Sequence, residues 1–259
     1  MGLIPDASAA KLIDVTKAFR SRTRRHFRRL GAWRRLSNND IWMRCVYQVA
    51  VVGNSACLAR LHASRSAQVT LQFERLILLP PGKRATAVHS ILRTHRVRYV
   101  SERPSECHKT RAVLRNLSFL VSVPGGPQGY LRQLATEKDE NERARQLGKD
   151  LHYIKLKGSR DLMAELGLAR NVVALDVRLL NLLRLAGVRV SSKAQNHEAT
   201  YRRLQDALLE QVARPAGVNG VQLDRILFNN YEDILSEMSV SLARPVVPGS
   251  RSPSPQEPD

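Results

Sequence analysis

The pattern of apolar and polar residues predicts a protein built almost entirely of helices. Apolar residues recur at three- and four-residue spacing in most segments, and only residues 69–79 show an alternation that would suit a strand. Helices are predicted over residues 85–92, 106–120, 137–151, 162–168, 177–185, 201–212 and 222–238, with another beginning at 130. We therefore expect an all-α fold.

The most apolar segment, residues 41–61, predicts a helix that is buried on nearly all sides. The polar residues 37–40 immediately before it can cap its first turn. Gly53 and the two residues after it interrupt the segment, which predicts a kink or a close packing point. Trp42 and Tyr47 lie on this helix and are expected in the core. Because the segment contains polar residues and is short, it does not predict a membrane span.

The two ends of the chain differ from its middle. Residues 17–35 carry nine Lys or Arg and no acid, and Phe27, Leu30 and Trp33 share one helical face. This pattern predicts a basic amphipathic helix whose arginines can meet phosphate; a solvated arm and a membrane-surface helix are the alternatives. The chain thus divides into a basic helical arm, a helical domain and a disordered Pro-rich tail, at residues 1–36, 37–240 and 241–259.

The net charge points to a polyanionic partner. The chain has 42 Lys+Arg against 23 Asp+Glu, a formal charge of +19, and 33 of the 42 cations are Arg. Arginine pairs bidentately with phosphate, so nucleic acid is the first candidate. The alternative is that a GC-rich genome simply encodes more arginine.

Other classes of protein find little support in the sequence. The three cysteines form neither a paired framework nor a CxxC motif, which indicates a reducing cytosol and no zinc or iron–sulfur site. The seven histidines show no metal-ligand spacing, and no P-loop or GxGxxG pattern is present, so we expect no cofactor. The first residues lack the apolar core of a secretory signal. We expect a cytoplasmic, monomeric protein.

The most informative segment is residues 154–183, which predicts a hairpin of two helical pieces around a short turn. Lys157 and Gly158 stand at the start of the second piece, and Gly167 is placed to end it. Asp176 follows an apolar run and opens the next helix as a capping residue. Lys157 and Asp176 therefore lie near two helix N-termini, 19 residues apart, and this topology can bring an amine and a carboxylate to one site.

This segment resembles the helix-hairpin-helix DNA glycosylases, and within them the archaeal and bacterial 8-oxoguanine DNA glycosylase/AP lyases. The family pattern has a catalytic Lys, an Ala two residues later, a Leu six later, a Gly ten later and then a catalytic Asp. The corresponding residues here are Lys157, Ser159, Met163, Gly167 and Asp176, followed by Arg178 where the family has His. A weaker resemblance extends over residues 40–238. The chain lacks the four-cysteine cluster of the endonuclease III branch.

The resemblance implies a two-lobed helical fold and base excision from double-stranded DNA. Such enzymes take the damaged base out of the helix into a pocket. Lys157 would attack C1′ and form a Schiff base that permits strand cleavage, and Asp176 would stabilise the developing sugar cation. The amine must be free, so we expect its pKa to be lowered. Lys155 is an alternative nucleophile, and an oxidised purine such as 8-oxoguanine is the implied substrate.

The resemblance also implies where DNA binds. Family hairpins carry Gly-x-Gly, whose N–H groups meet a phosphate, whereas this chain has Leu156 in a glycine position. Contacts to DNA are expected from Lys155, Gly158, Arg160, Arg178, Arg24, Arg25, Arg28 and Arg29. The alternative role of Arg178 is to form an ion pair with Asp176.

Three further interpretations stay open at this stage. Trp42 and Tyr47 are expected in the core, and the alternative is that they line the base pocket. His152 and Tyr153, just before the hairpin, either wedge into DNA or pack. The alternative to an enzyme is a non-catalytic helix-hairpin-helix DNA-binding protein, which the missing hairpin glycine and Arg178 favour. A basic RNA-associated protein has no motif behind it.

Overall fold

The structure is a computed structural model that describes residues 3–23, 28–191 and 193–243. Within these residues the chain forms fourteen α-helices and no strand, which confirms the all-α expectation. The helices are α1 (Asp6–Thr23), α2 (Asn38–Ala50), α3 (Cys57–Ala63), α4 (Arg65–Thr70), α5 (Phe73–Leu78), α6 (Pro81–Thr94), α7 (His108–Ser122), α8 (Gly126–Leu134), α9 (Glu140–Asp150), α10 (Leu156–Leu166), α11 (Val177–Leu185), α12 (Glu198–Leu208), α13 (Gly220–Asn229) and α14 (Tyr231–Ala243).

The first lobe is built around α2, which lies at the centre of a core formed by α2–α10. Ser37 begins this helix as predicted: its hydroxyl accepts a hydrogen bond from the Asp40 backbone amide, and the Asp40 carboxylate accepts one from the Ser37 amide. The helix ends at Ala50, so the predicted single helix over residues 41–61 is in fact two. Gly53 lies in the loop between them at φ 89°, and a Cβ there would lie 2.3 Å from the Tyr99 ring.

The second lobe has its own core, formed by α1 and α11–α14. Leu12 and Phe19 of α1 are buried in it together with Tyr201 of α12 and Ile226 of α13. The chain passes between the two cores just before α11, because Val172 belongs to the first and the next residue to the second. This arrangement is the two-lobed fold that the resemblance implies.

Residues 17–35 do not form the single basic helix that their pattern predicts. Helix α1 ends at Thr23, the backbone at 28–31 is not helical, and a short 3₁₀ helix follows at Ala32–Arg35. The physical reason is that the apolar residues of this segment serve two cores: Phe19 is buried in the second and Trp33 in the first. Leu30, expected on the buried face, is 54% exposed. The expected DNA contacts Arg24 and Arg25 lie outside the described residues.

Two other segments differ from their sequence patterns. Residues 69–79 contain the end of α4 and the whole of α5, with Leu71, Phe73 and Leu76 buried. The strand that their alternating pattern suggested is therefore not formed. The predicted helix over residues 222–238 is two helices, α13 and α14, which meet at Asn230. In both cases the tertiary packing, which the local pattern does not contain, decides the outcome. The expected tail begins inside α14, which runs to Ala243, and its residues 244–259 lie outside the description.

Candidate active site

The α9–α10 hairpin places Lys157, the first of the two candidate catalytic residues, at the junction of the two lobes. The turn contains Tyr153 at φ 70°, the left-handed region that favours glycine, and Lys155 caps α10 in extended conformation. Leu156 packs against the second core, whereas the later residues of α10 belong to the first core. Helix α10 ends at Gly167 in left-handed conformation (φ 67°), where the sequence predicted its end.

Asp176 caps the next helix, α11, as predicted. Its carboxylate accepts a hydrogen bond of 2.9 Å from the backbone amide three residues further on. The extended segment 173–175 before it is held by side chains of α12 and α13. Its three backbone amides donate to Gln205 Oε1, Asp224 Oδ1 and the Tyr201 hydroxyl at 3.1, 3.0 and 2.8 Å. These bonds position Asp176 at the start of α11, on the second lobe.

The amine of Lys157 is bound by a carboxylate of its own helix. Lys157 Nζ lies 2.7 Å from Asp161 Oδ2, one helical turn further on, and a third of the Lys157 side chain is exposed. Arg225 Nη2 of α13 donates to the other oxygen of Asp161 at 2.7 Å, and Gln48 Nε2 of α2 donates to Oδ2 at 3.2 Å. Asp161 therefore receives three donors and joins the two lobes.

The charge balance of this cluster differs from the one that the sequence predicted. Burial lowers the pKa of Lys157, but attraction to Asp161 and their hydrogen bond outweigh it, so the pKa of the amine is raised. Asp224 and Asp176 raise it further by smaller amounts. Burial would raise the pKa of Asp161, but the charges of Lys157 and Arg225 lower it. The expected lowering of the Lys157 pKa is thus wrong in this structure, because Asp161 was not foreseen as its partner.

Lys157 and Asp176 are close enough to interact electrostatically, yet no ion pair joins them in the described part of the chain. Neither Asp161 nor Arg225 is predicted from the sequence as a residue of this site. The signal for Asp161 was present, because an acid four residues after a Lys on a helix is placed to pair with it. Arg225 gave no such signal, because it lies 64 residues from Asp161.

A cleft of about 440 Å³ opens between α2, α3, α4 and α10. Tyr47, which is half-buried, forms one wall with His62; the two rings are 4.3 Å apart and edge to face. Glu165 of α10 forms part of another wall, and burial together with the charge of Asp161 raises its pKa to about 7. The remaining lining residues are polar or basic for the most part: Arg28, Asn39, Asp40, Met43, Arg44, Leu58, Gln68 and Gln72.

Trp42 does not line this cleft. Its side chain is fully buried, its ring packs near Phe73, and its Nε1 donates to the Leu71 carbonyl at 2.7 Å. Core packing is therefore the correct interpretation of Trp42, and base-pocket lining is wrong.

Arg160 corrects a second expectation. Its side chain is fully buried, so it is not available to a DNA phosphate. The guanidinium donates to Glu198 Oε1 and Gln205 Oε1 of α12 at 3.0 and 3.1 Å and lies 4.2 Å from the Tyr201 ring centre. It also donates to the Leu156 carbonyl at 3.0 Å. Arg160 therefore ties α10 to α12 inside the protein.

The other expected DNA contacts are distributed differently. Lys155, Arg28 and Arg29 are exposed. Gly158 lies in the first turn of α10, where a Cβ would come within 3.3 Å of Ile154 and 3.7 Å of Gln48 Oε1, so the glycine permits close packing onto α2. The Arg178 guanidinium lies over the rings of Phe228 and Tyr231, at 5.0 and 5.7 Å, and makes no ion pair with Asp176 among the described residues.

Comparison with known proteins supports the fold. No family model matches the sequence, and no curated protein matches it. Among solved structures, the chain is similar to the 8-oxoguanine DNA glycosylase of Thermotoga maritima, with a TM-score of 0.63 over 85% of this chain and 95% of that one. The identity is 15%, so the similarity shows the fold. It confirms the helical fold that the resemblance implies.

The described residues contain no helix with the length and the apolar character that a membrane span requires. None of their His, Cys, Asp and Glu side chains form a group of three or more arranged to hold a metal ion. The three cysteines, Cys45, Cys57 and Cys107, are free and buried.

Proposed function

We propose that this protein is a DNA glycosylase that removes a damaged base from double-stranded DNA, with Lys157 as nucleophile. The observation that carries the proposal is the position of Lys157. It lies in the first turn of the hairpin helix at the lobe junction, partly exposed, with Asp176 capping the next helix, in a fold shared with an 8-oxoguanine DNA glycosylase. We further propose an oxidised purine as substrate and strand cleavage as a second activity.

Each part of the site has a role in this proposal. The exposed Lys155 and the free backbone amides at the start of α10 bind a phosphate next to the flipped nucleotide. The exposed Arg28, which also lines the cleft, and the exposed Arg29 bind further phosphates of the DNA backbone. The cleft beside Tyr47 receives the base, because its volume suits a planar ring and its walls offer both aromatic and hydrogen-bonding groups.

The chemistry is a displacement at C1′ of the sugar. The neutral Lys157 amine forms a bond to C1′ while the bond from C1′ to the base nitrogen breaks, and the base leaves with the electron pair and takes up a proton. The Asp176 carboxylate stabilises the positive charge that develops on the sugar. The bound amine then becomes a Schiff base after the sugar ring opens, and elimination of the 3′ phosphate cleaves the strand.

Borohydride trapping tests this proposal. The protein is mixed with a duplex that carries 8-oxoguanine opposite cytosine, with a duplex that carries an abasic site, and with an undamaged duplex. We expect covalent adducts with the first two, none with the third, and none with any duplex for Lys157→Ala. Lys155→Ala is the matched control, because it removes the neighbouring exposed amine. An adduct that survives Lys157→Ala and disappears with Lys155→Ala would refute the assignment of the nucleophile.

A second candidate function is a DNA-binding protein without catalysis. Two observations favour it: the Lys157 amine is held by Asp161, and Leu156 stands at a hairpin glycine position. This candidate predicts tight binding of abasic duplex, measured by fluorescence anisotropy, with no adduct and no released base at any pH. The trapping assay therefore separates the two candidates.

A further inference from the structure

We propose that Asp161 is a positioning residue for Lys157, and that Arg225 weakens the attraction of Asp161 for the Lys157 amine. These three side chains together set the protonation state of the nucleophile. This inference rests on the proposed function. It assigns to two residues outside the Lys157–Asp176 pair a role in the timing of attack.

The geometry of the cluster supports this division of roles. The two oxygens of Asp161 are occupied by different cations, Oδ2 by Lys157 Nζ and Oδ1 by Arg225 Nη2, each at 2.7 Å. Asp161 is almost completely buried, with a side-chain exposure of 9%, whereas that of Lys157 is 33%. The carboxylate is therefore fixed by Arg225 and the protein interior, and the amine is the member of the pair that can move towards DNA.

Charged groups face the pair from three of the elements around it, α10, α11 and α13. Helix α10 itself adds Glu165, α13 adds Asp224 and Arg225, and the start of α11 adds Asp176. Helix α2 presents the neutral Gln48 to Asp161. Helix α9 packs on another side of α10, where Gly148 lies against Ser159. Asp161 is the one carboxylate among these in direct contact with the amine, so it has the largest effect on the proton of Lys157.

The consequence for the reaction follows from charge. An ammonium has no free electron pair, so Lys157 must lose a proton before it attacks. At an abasic site the neutral amine adds to the C1′ aldehyde, water leaves, and a reductant such as cyanoborohydride supplies hydride to the resulting iminium carbon. Asp161 retains the proton on the amine and so slows this step at neutral pH. Arg225 neutralises part of the Asp161 charge and so favours release of the proton.

The test is the pH dependence of trapping on abasic duplex with cyanoborohydride, measured at saturating DNA between pH 5 and pH 9. We expect Asp161→Asn to trap several-fold faster than the natural protein at pH 7, because the amine loses the carboxylate that retains its proton and a larger fraction of the amine is neutral. Arg225→Met should shift the rate in the opposite direction by a similar factor. Glu210→Gln, which breaks an exposed i,i+4 pair with Arg214 of 2.7 Å, is the matched control and should leave the profile unchanged.

A second measurement does not depend on catalysis. Reductive methylation with ¹³C-formaldehyde labels the nine lysines, and the Lys157 resonance, assigned with Lys157→Arg, is titrated by NMR. We expect its midpoint to fall in Asp161→Asn and to rise in Arg225→Met. If both variants fold, as circular dichroism shows, and both titrate like the natural protein, Asp161 is merely structural and the inference is refuted. If the natural protein forms no adduct at any pH, the proposed function fails, and the titration still tests this inference.

Discussion

Replacing Arg160 with Met should destabilise the protein strongly while leaving the DNA affinity of the folded fraction unchanged. The buried guanidinium donates to Glu198, Gln205 and the Leu156 carbonyl, and it lies over the Tyr201 ring. Removing one partner of such a buried pair costs about 3–5 kcal/mol. A third of the Glu198 side chain is exposed and can be rehydrated, which favours the lower end of that range.

The assay is urea unfolding followed by circular dichroism, with duplex binding measured in the absence of urea. A loss of about 3–5 kcal/mol corresponds to a fall of roughly 1–2 M in the urea midpoint, at a slope of about 2.5 kcal/mol per M. Arg214→Met is the matched control, because this side chain is 74% exposed in its pair with Glu210, and we expect little change in the midpoint. An unchanged midpoint for Arg160→Met, together with weaker DNA binding, would contradict the buried role and restore the phosphate contact that the sequence suggested.

Three further predictions concern stability. The pKa of Glu165 is raised to about 7, so its proton stabilises the folded state at low pH and this contribution is lost as pH rises through 7. Glu165→Gln should therefore reduce the fall in the free energy of unfolding between pH 5 and pH 8, by on the order of 1–3 kcal/mol in urea titrations, and parallel profiles would contradict this. Gly129→Ala places a Cβ 1.8 Å from the Pro124 carbonyl oxygen and should destabilise the folded state. Gly82→Ala meets nothing within 4 Å and should stabilise it by up to about 1 kcal/mol. Equal urea midpoints for the two variants would refute the packing argument. Lys109→Met removes hydrogen bonds of 2.8 and 2.7 Å to two carbonyls at the end of α2, which should cost about 1–3 kcal/mol and speed hydrogen exchange in the following loop; unchanged exchange would show that the amine does not hold that loop.

The sequence by itself determined the helical class, several helix ends and the hairpin. The Ser37 cap, the Asp176 cap and the left-handed Gly167 all lie where the sequence predicted them. Each of these features depends on contacts within three or four residues, so the local sequence contains the information. The family pattern from Lys157 to Asp176 likewise indicated the fold that the structural similarity confirms.

Only the tertiary structure decided which side chains are buried together and which charged groups meet. Residues 17–35 look like one amphipathic helix, yet Phe19 and Trp33 are buried in different cores. Arg160 is expected from the sequence to contact DNA, yet α12 covers it. The partner of Lys157 is Asp161, whose other oxygen is held by Arg225 from 64 residues away. Burial and ion pairing depend on residues that are distant in the chain, and the spacing of one segment carries no information about what packs against it.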